Sequence, residues 1–241
     1  MRRFTEFYSE SRVQNIVGFS GGKDSTATYL LALEHSEKTG KTFRATFADT
    51  GNEHEETIEF VKTIHEKTGG PKVEIITSDF REAVIKKRDV VATKWLKDGV
   101  DPARIAEVIE NLQPTGNPFL DLCISNGRWP SAVGKFCTAQ LKVYPTIDQI
   151  ILPAMKSGPI VQWSGVRGEE SNNRSKMSPV DFSDPGYYIY RPIFNWSVRD
   201  VFALHKKHGL EPNPLYKQGF SRVGCMPCIF AKKSEIFNIN A

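Results

Sequence analysis

Ile16-Val17-Gly18-Phe19-Ser20-Gly21-Gly22-Lys23-Asp24-Ser25 is the stretch that decides the fold. Residues 13–19 form a short apolar run rich in β-branched side chains, and residues 24–37 carry Ala27, Leu30 and Leu31 on one helical face. Across the two glycines the pattern changes from that of a buried strand to that of a helix. Gly21 and Gly22 allow a tight turn and close approach of backbone to a ligand. The following helix offers first-turn N–H groups and the positive end of its dipole. Ser20 and Ser25 add hydroxyls, and Lys23 adds a cation. The segment therefore predicts a phosphate-gripping loop at the carboxyl end of a strand, where open parallel sheets bind ligands. Its spacing is not that of a G-x-x-x-x-G-K-[ST] loop.

Outward from this loop, strand and helix signals alternate. Residues 43–48 and 73–76 read as strands, and residues 55–67 as a helix with Ile58, Val61 and Ile64 at helical spacing. This βαβαβ order predicts a parallel sheet with right-handed crossovers. Residues 104–112 are helical in pattern, and 113–131 form a turn-rich passage with three prolines and two glycines. Residues 159–164 and 187–193 read as further strands. A helix is expected over about 198–208, with Ser197 and Asp200 as a capping box. The expected class is α/β: a Rossmann-like open, mostly parallel twisted sheet with helices on both faces, plus a short Cys-containing tail over about 209–241. With no linker visible, a single domain over 1–241 is expected.

The chain has 241 residues, 39% hydrophobic and 25% charged, with a net charge of +4. That length buries a full core without staples, and the mild basicity permits a polyanionic partner without requiring one. The N-terminus lacks the apolar region of a secretory signal, and no apolar run is long enough to span a membrane. A cytoplasmic protein is expected. In a reducing compartment Cys123, Cys137, Cys225 and Cys228 favour metal or redox chemistry over structural disulfides. Trp95, Trp129, Trp163 and Trp196 are scattered and predict core packing rather than an aromatic–basic surface. Lys94, Lys97 and Arg104 have the look of an ordinary exposed helix.

Three further constellations carry chemistry. Asp49-Thr50-Gly51 ends the second strand, where a carboxylate can bond ribose hydroxyls or hold Mg²⁺ beside phosphates; the alternative is a cap for the next helix. His54, Glu55 and Glu56 read as ordinary first-turn residues. Arg167 and Arg174 can grip an anion by paired N–H bonds, with Glu169 or Glu170 orienting them; the alternative is a solvated charged loop. Cys225-x-x-Cys228 is a two-ligand clip for one metal, a redox pair, or two buried thiols.

SGGKDS at 20–25 resembles the PP-loop of the ATP-pyrophosphatase superfamily. Within it the chain resembles the phosphoadenosine phosphosulfate (PAPS) reductase-like family, through Ala48-Asp49-Thr50-Gly51-Asn52-Glu53-His54, Phe136-Cys137-Thr138 with Leu141-Lys142, Gly165-Val166-Arg167 to Arg174, Asn213-Pro214-Leu215-Tyr216, and Gly224-Cys225-Met226-Pro227-Cys228. The resemblance implies an adenine nucleotide α-hydrolase-like fold, a nucleotide site at Ser20, Gly21, Gly22, Lys23, Asp24, Ser25, Asp49, Thr50, Gly51, Arg167 and Arg174, and catalytic roles for Lys23 and Arg167. It brings residues 136–138 against the tail, so that Cys137, Cys225 and Cys228, with Cys123 as a candidate fourth, would hold a [4Fe–4S] cluster or Zn²⁺. Iron–sulfur adenylyl-sulfate reductases have a cysteine pair where this chain has Phe136-Cys137, and Phe136 cannot ligate.

Two reactions are implied. One is ATP-dependent adenylation of an acceptor, a nucleic acid or a small molecule, with Mg²⁺ and with sulfur transfer from a donor protein. The other is sulfonucleotide (PAPS or APS) reduction, whose expected thiolate nucleophile near the C-terminus has no counterpart in residues 229–241. A non-catalytic nucleotide-binding partner protein is the third reading. A homodimer is compatible with related folds.

Overall fold

The computed structural model describes Phe4, Tyr8 and residues 12–239. Contacts divide the chain into a larger unit of Met1–Ala48, Glu53–Ile76 and Thr146–Ala241 and a smaller unit of Asp49–Asn52 and Thr77–Pro145.

The larger unit is built on a sheet of six strands in the order β3-β2-β1-β4-β6-β5. These are β1 (Gln14–Gly18), β2 (Phe43–Asp49), β3 (Val73–Thr77), β4 (Ile160–Trp163), β5 (Val180–Ser183) and β6 (Tyr187–Tyr190). Strand β1 pairs in parallel with β2 and β4, and β4 in parallel with β6. The five predicted strands are all present. The addition is β5, an antiparallel edge strand hairpinned onto β6, so the sheet is mixed and mostly parallel.

Alternation along the strands sorts their side chains onto two faces. Val17 and Val161 share a core with Ala27 and Leu30 of α1 (Lys23–Thr39) and with Phe60, Val61 and Ile64 of α2 (Glu55–Thr68). Their strand neighbours Ile16 and Ile160 pack instead with Ile150, Ile151 and Ala154. Those three lie in the helical turns Ile147–Ile151 and Leu152–Met155. Helices therefore cover both faces, as expected. Glycines at φ 71 end both α1 and α2, as left-handed C-caps do.

In the smaller unit, α3 (Arg81–Val90) runs on into a wide turn over Val91–Trp95, and α4 (Pro102–Asn111) and α5 (Pro118–Asn126) follow. The passage 113–131, expected to be turns, contains α5. Its Pro118 sits in the first turn, where a missing N–H costs nothing, and the Asn117 side chain accepts from the Leu120 N–H. Phe119, Leu122, Cys123 and Leu141 form this unit's apolar cluster. Back in the larger unit, α6 (Val198–Lys207) opens with the predicted Ser197–Asp200 capping box. The tail over 209–241 is less loop-like than expected: it holds a tight turn at Pro214–Tyr216 and α7 (Lys233–Ile239), with Leu215 and Phe220 buried. No helix among the described residues is long and apolar enough to cross a membrane.

Candidate functional site

Strand β1 delivers the 20–25 loop at its carboxyl end, and α1 starts inside it. Gly21 has φ 71, and a β-carbon there would stand 3.0 Å from Thr57 Cγ2, so glycine alone fits. The Ser20 N–H donates to Ser25 Oγ at 3.0 Å, and the Ser25 hydroxyl donates to the Gly22 carbonyl at 3.0 Å. The Thr26 hydroxyl donates to the same carbonyl. The turn is closed by its own side chains before any ligand arrives.

Three side chains from α6 and the tail brace the loop from behind. The Lys23 N–H donates to Tyr216 Oη at 2.8 Å. Asn213 Nδ2 donates to the Gly21 carbonyl at 3.2 Å and to Thr57 Oγ1 at 3.3 Å. His205 is 1% exposed, and its Nε2 lies 2.8 Å from the Lys23 carbonyl. A carbonyl only accepts, so Nε2 carries the proton. Nδ1 is buried with no hydrogen-bond partner, which fits a neutral imidazole. Burial lowers the His205 pKa, against an opposing contribution from the Lys23 carbonyl. Burial also pushes the Tyr216 phenol up to about 12.

The Lys23 ammonium donates to the Ser221 carbonyl at 3.3 Å, lies 3.4 Å from Asp24 Oδ2, and sits 5.5 Å from the centre of the Tyr216 ring. Ser221 is fixed in turn by Glu235, which is 3% exposed and accepts from the Ser221 N–H at 3.0 Å and hydroxyl at 2.7 Å. Burial acts to raise the Glu235 pKa, but the hydrogen bonds from Lys232 and Ser221 outweigh it and leave the pKa lowered.

After β4 the chain passes so close to α1 that a β-carbon on Gly165 would stand 2.9 Å from the Asp24 backbone. This contact sets Arg167, 3% exposed, against the loop. Its Nε donates to Asp24 Oδ1 at 2.5 Å, and Nη1 pairs with Glu169. The Arg167 N–H donates to Glu170 Oε2 at 3.2 Å, while Glu169 also accepts from the Val198 N–H. Arg174 pairs with Glu170. Both glutamates thus hold arginines, as the sequence suggested. The Arg167 guanidinium, however, is spent on carboxylates, and its geometry is that of a strut holding Asp24.

Asp49, Thr50 and Gly51 fall in the smaller unit. Asp49 Oδ1 accepts from the Gly51 N–H at 2.9 Å, and the Gly51 carbonyl accepts from Asn117 Nδ2 at 2.7 Å. Asp49 caps its own turn and not the next helix, which is capped by His54 through Nδ1.

The cysteines divide between the units. Cys225 bridges to Glu53 as an isolated antiparallel pair, with Sγ 3.6 Å from Glu53 Oε1. Cys123 is 7% exposed in the apolar cluster, where burial, and then Cys137 at the cluster's edge, push its thiol up to about 11. Among the described residues no group of three or more His, Cys, Asp or Glu side chains is arranged to hold a metal ion.

His205 was not visible in the sequence as a site residue; a histidine inside a helix has no motif to mark it. Asn213 and Tyr216 did carry a signal in the Asn-Pro-Leu-Tyr run, though not their role. The buried neutral imidazole has a measurable consequence. Its folded pKa lies below the ordinary value near 6.5, so protons favour the unfolded chain. The stability that depends on it is present above about pH 6.5 and is lost as pH falls. His35 shifts in the same direction through burial, Lys41 and Lys38. Thermal unfolding at pH 7.5 and 5.5 should show a smaller acid-induced loss in His205→Leu than in the parent, the remainder belonging to His35. An unchanged loss would show that His205 protonates freely.

The phosphoadenosine phosphosulfate reductase domain model matches residues 14–231, across both units. The chain belongs to that family. A 37.8 kDa protein of Escherichia phage 186 is 45% identical to this PAPS reductase-family chain over 97% of it, and the match covers 72% of the phage protein. An adenosine 5′-phosphosulfate reductase of Neisseria meningitidis is 30% identical over half of the chain and 49% of the reductase. In fold, the chain is similar to phosphoadenylyl-sulfate reductase of Candida auris, with a TM-score of 0.51 at 17% identity, covering 91% of this chain and 83% of that one. It is also similar to an FMN adenylyltransferase of Candida glabrata, with a TM-score of 0.52 at 13% identity, covering 91% and 57%. These likenesses bear out the expected adenine nucleotide α-hydrolase-like fold.

Proposed function

We propose that the chain is an enzyme that binds an adenine nucleotide by its phosphates at the 20–25 loop and transfers a group at the nucleotide's anhydride. The observation that carries this reading is the loop itself: closed by Ser25, braced by His205, Asn213 and Tyr216, and holding the Lys23 ammonium against Ser221 and Asp24. A preorganised cation and helix N-terminus stabilise charge that develops on a departing phosphate without reorganising. Adenine-nucleotide binding also fits the family.

The reaction we put first is adenylation. An acceptor oxygen attacks the α-phosphorus of ATP, the bond to the bridging oxygen breaks, and pyrophosphate leaves with the electron pair while Lys23 neutralises it. Sulfur transfer to the adenylated acceptor would follow, with AMP as the leaving group. Both oxygens of the loop carboxylate are engaged, Oδ1 by Arg167 and Oδ2 by Lys23. The loop thus supplies no ready metal ligand, and Mg²⁺ would arrive on the nucleotide's own phosphates, adding charge neutralisation. The second reading, sulfonucleotide reduction, is favoured by the Neisseria relative, whose name gives that activity.

Titration calorimetry with ATP, APS and PAPS separates the two. Adenylation predicts ATP binding at least as tight as either sulfonucleotide, and pyrophosphate release once an acceptor is supplied. Binding confined to APS or PAPS would overturn adenylation in favour of reduction. No binding of any of the three would overturn the nucleotide site.

A further inference from the structure

The smaller unit carries an aromatic and basic surface that the nucleotide site does not use. Helix α5 ends at Gly127, with φ 67, and the chain then turns outward through Arg128 and Trp129. Of the four tryptophans, Trp163 is 4% exposed, and Trp196 packs partly buried against the larger unit's core. Trp95 is also partly covered. Trp129 is 63% exposed, correcting the expectation that all four pack inside. One side of its indole is steadied by Phe119, with ring centres 5.4 Å apart. An exposed indole exposes apolar surface to water at a cost of order 25 cal/mol per Å², which a stacking partner would relieve.

Cations lie on the residues that flank it and on α3. The exposed Arg128 guanidinium lies over the Phe136 ring, 5.6 Å from its centre. The Lys87 ammonium, from α3, reaches to 3.5 Å from where a β-carbon on Gly127 would stand. Lys135 is exposed on the same loop. Residues 122–147 contain no Asp or Glu. The nearest carboxylate in sequence, Asp121, is 1% exposed and accepts from Thr115 and the Gly116 N–H. Its charge is turned inward. Glu82 and Asp89 on α3 are the exposed acids of the neighbouring helix.

We propose that this surface, Trp129 with Lys87, Arg128 and Lys135, binds single-stranded nucleic acid. A base stacks on the Trp129 indole, as every base offers a π-face, and the three cations meet phosphates of the flanking strand. Charge complementarity selects a polyanion. The open indole selects one whose anionic chain carries flat rings, which an acidic peptide lacks. The inference stands apart from the proposed reaction.

Fluorescence anisotropy of labelled oligo-dT and oligo-U, each of about 20 nucleotides, tests it on the full chain, with thermal unfolding as a check on each variant. Binding is expected at low salt, with log affinity falling against log salt with a slope of about −2 for three phosphate contacts. Trp129→Ala should weaken it about tenfold or more, and Trp129→Phe should restore most of the loss. Arg128→Glu and Lys87→Glu should each lower affinity and flatten the salt slope. ATP affinity should stay unchanged in all four. Absence of binding, or binding that neither Trp129→Ala nor the charge variants disturb, would overturn the proposal. So would polyglutamate competing as well as oligo-dT per charge with no effect of Trp129→Ala, which would mark the face for an acidic protein.

Discussion

Lys23→Ala is expected to cost about tenfold to a hundredfold in nucleotide affinity and about a hundredfold to a thousandfold in turnover. The first figure follows from losing a hydrogen bond to a charged group, about 1.5–3 kcal/mol. The second follows from removing one preorganised donor to a developing anion. The Lys23 side chain is 11% exposed, so water cannot readily take its place. Its removal should leave the fold nearly intact, since Asp24 retains Arg167, and Ser221, whose carbonyl loses the ammonium, stays fixed to Glu235 through its N–H and hydroxyl. Calorimetry with ATP and a pyrophosphate-release assay check both parts. Wild-type affinity in Lys23→Ala would remove the loop from the nucleotide site.

Arg167→Ala should act on stability first. Removing one partner of a buried ion pair leaves an uncompensated charge and costs about 3–5 kcal/mol. The lower figure suits this pair, because the Asp24 side chain is 14% exposed. For a chain of this size about 3 kcal/mol corresponds to roughly 6–12 °C in Tm. The double variant Arg167→Ala/Asp24→Ala should recover part of that loss, since the stranded carboxylate is gone. Thermal unfolding of the two single variants and the double completes the cycle. Additive losses would mean that the strut carries no coupling. If Arg167 instead binds the ligand directly, Arg167→Ala would lose affinity while keeping its Tm.

The loop and its sheet were legible because local pattern and tertiary role agree there. An apolar β-branched run, two glycines and an amphipathic helix leave one reading, and five strands followed from the same rules. Strand β5 escaped because Val180–Ser183 is a short edge strand with Asp181 and Ser183 in it, which resembles a loop. Helix α5 is hidden because the prolines and glycines of 113–131 signal turns, whereas Pro118 after Asn117 is equally the start of a helix. The site's rear wall was hidden for a deeper reason. His205, Asn213 and Tyr216 acquire their roles only by meeting residues far away in sequence, and no local pattern encodes such a meeting. Arg167 stood out in the sequence, but its partners, Asp24 and Glu169, emerge only from the packing that Gly165 permits.

The rear wall also governs when the site can exist during synthesis. Lys23 meets His205 across 182 residues and Tyr216 across 193, and Gly21 meets Asn213 across 192. Contacts of such separation carry the loop-closure cost that makes folding slow. A nascent chain exposes SGGKDS long before the residues that hold that turn from behind, which follow 182 to 193 positions later. Nucleotide present during translation would therefore find no finished cradle on the growing chain. Capture of the ligand becomes an event that waits for α6 and the Asn213–Tyr216 turn to be made.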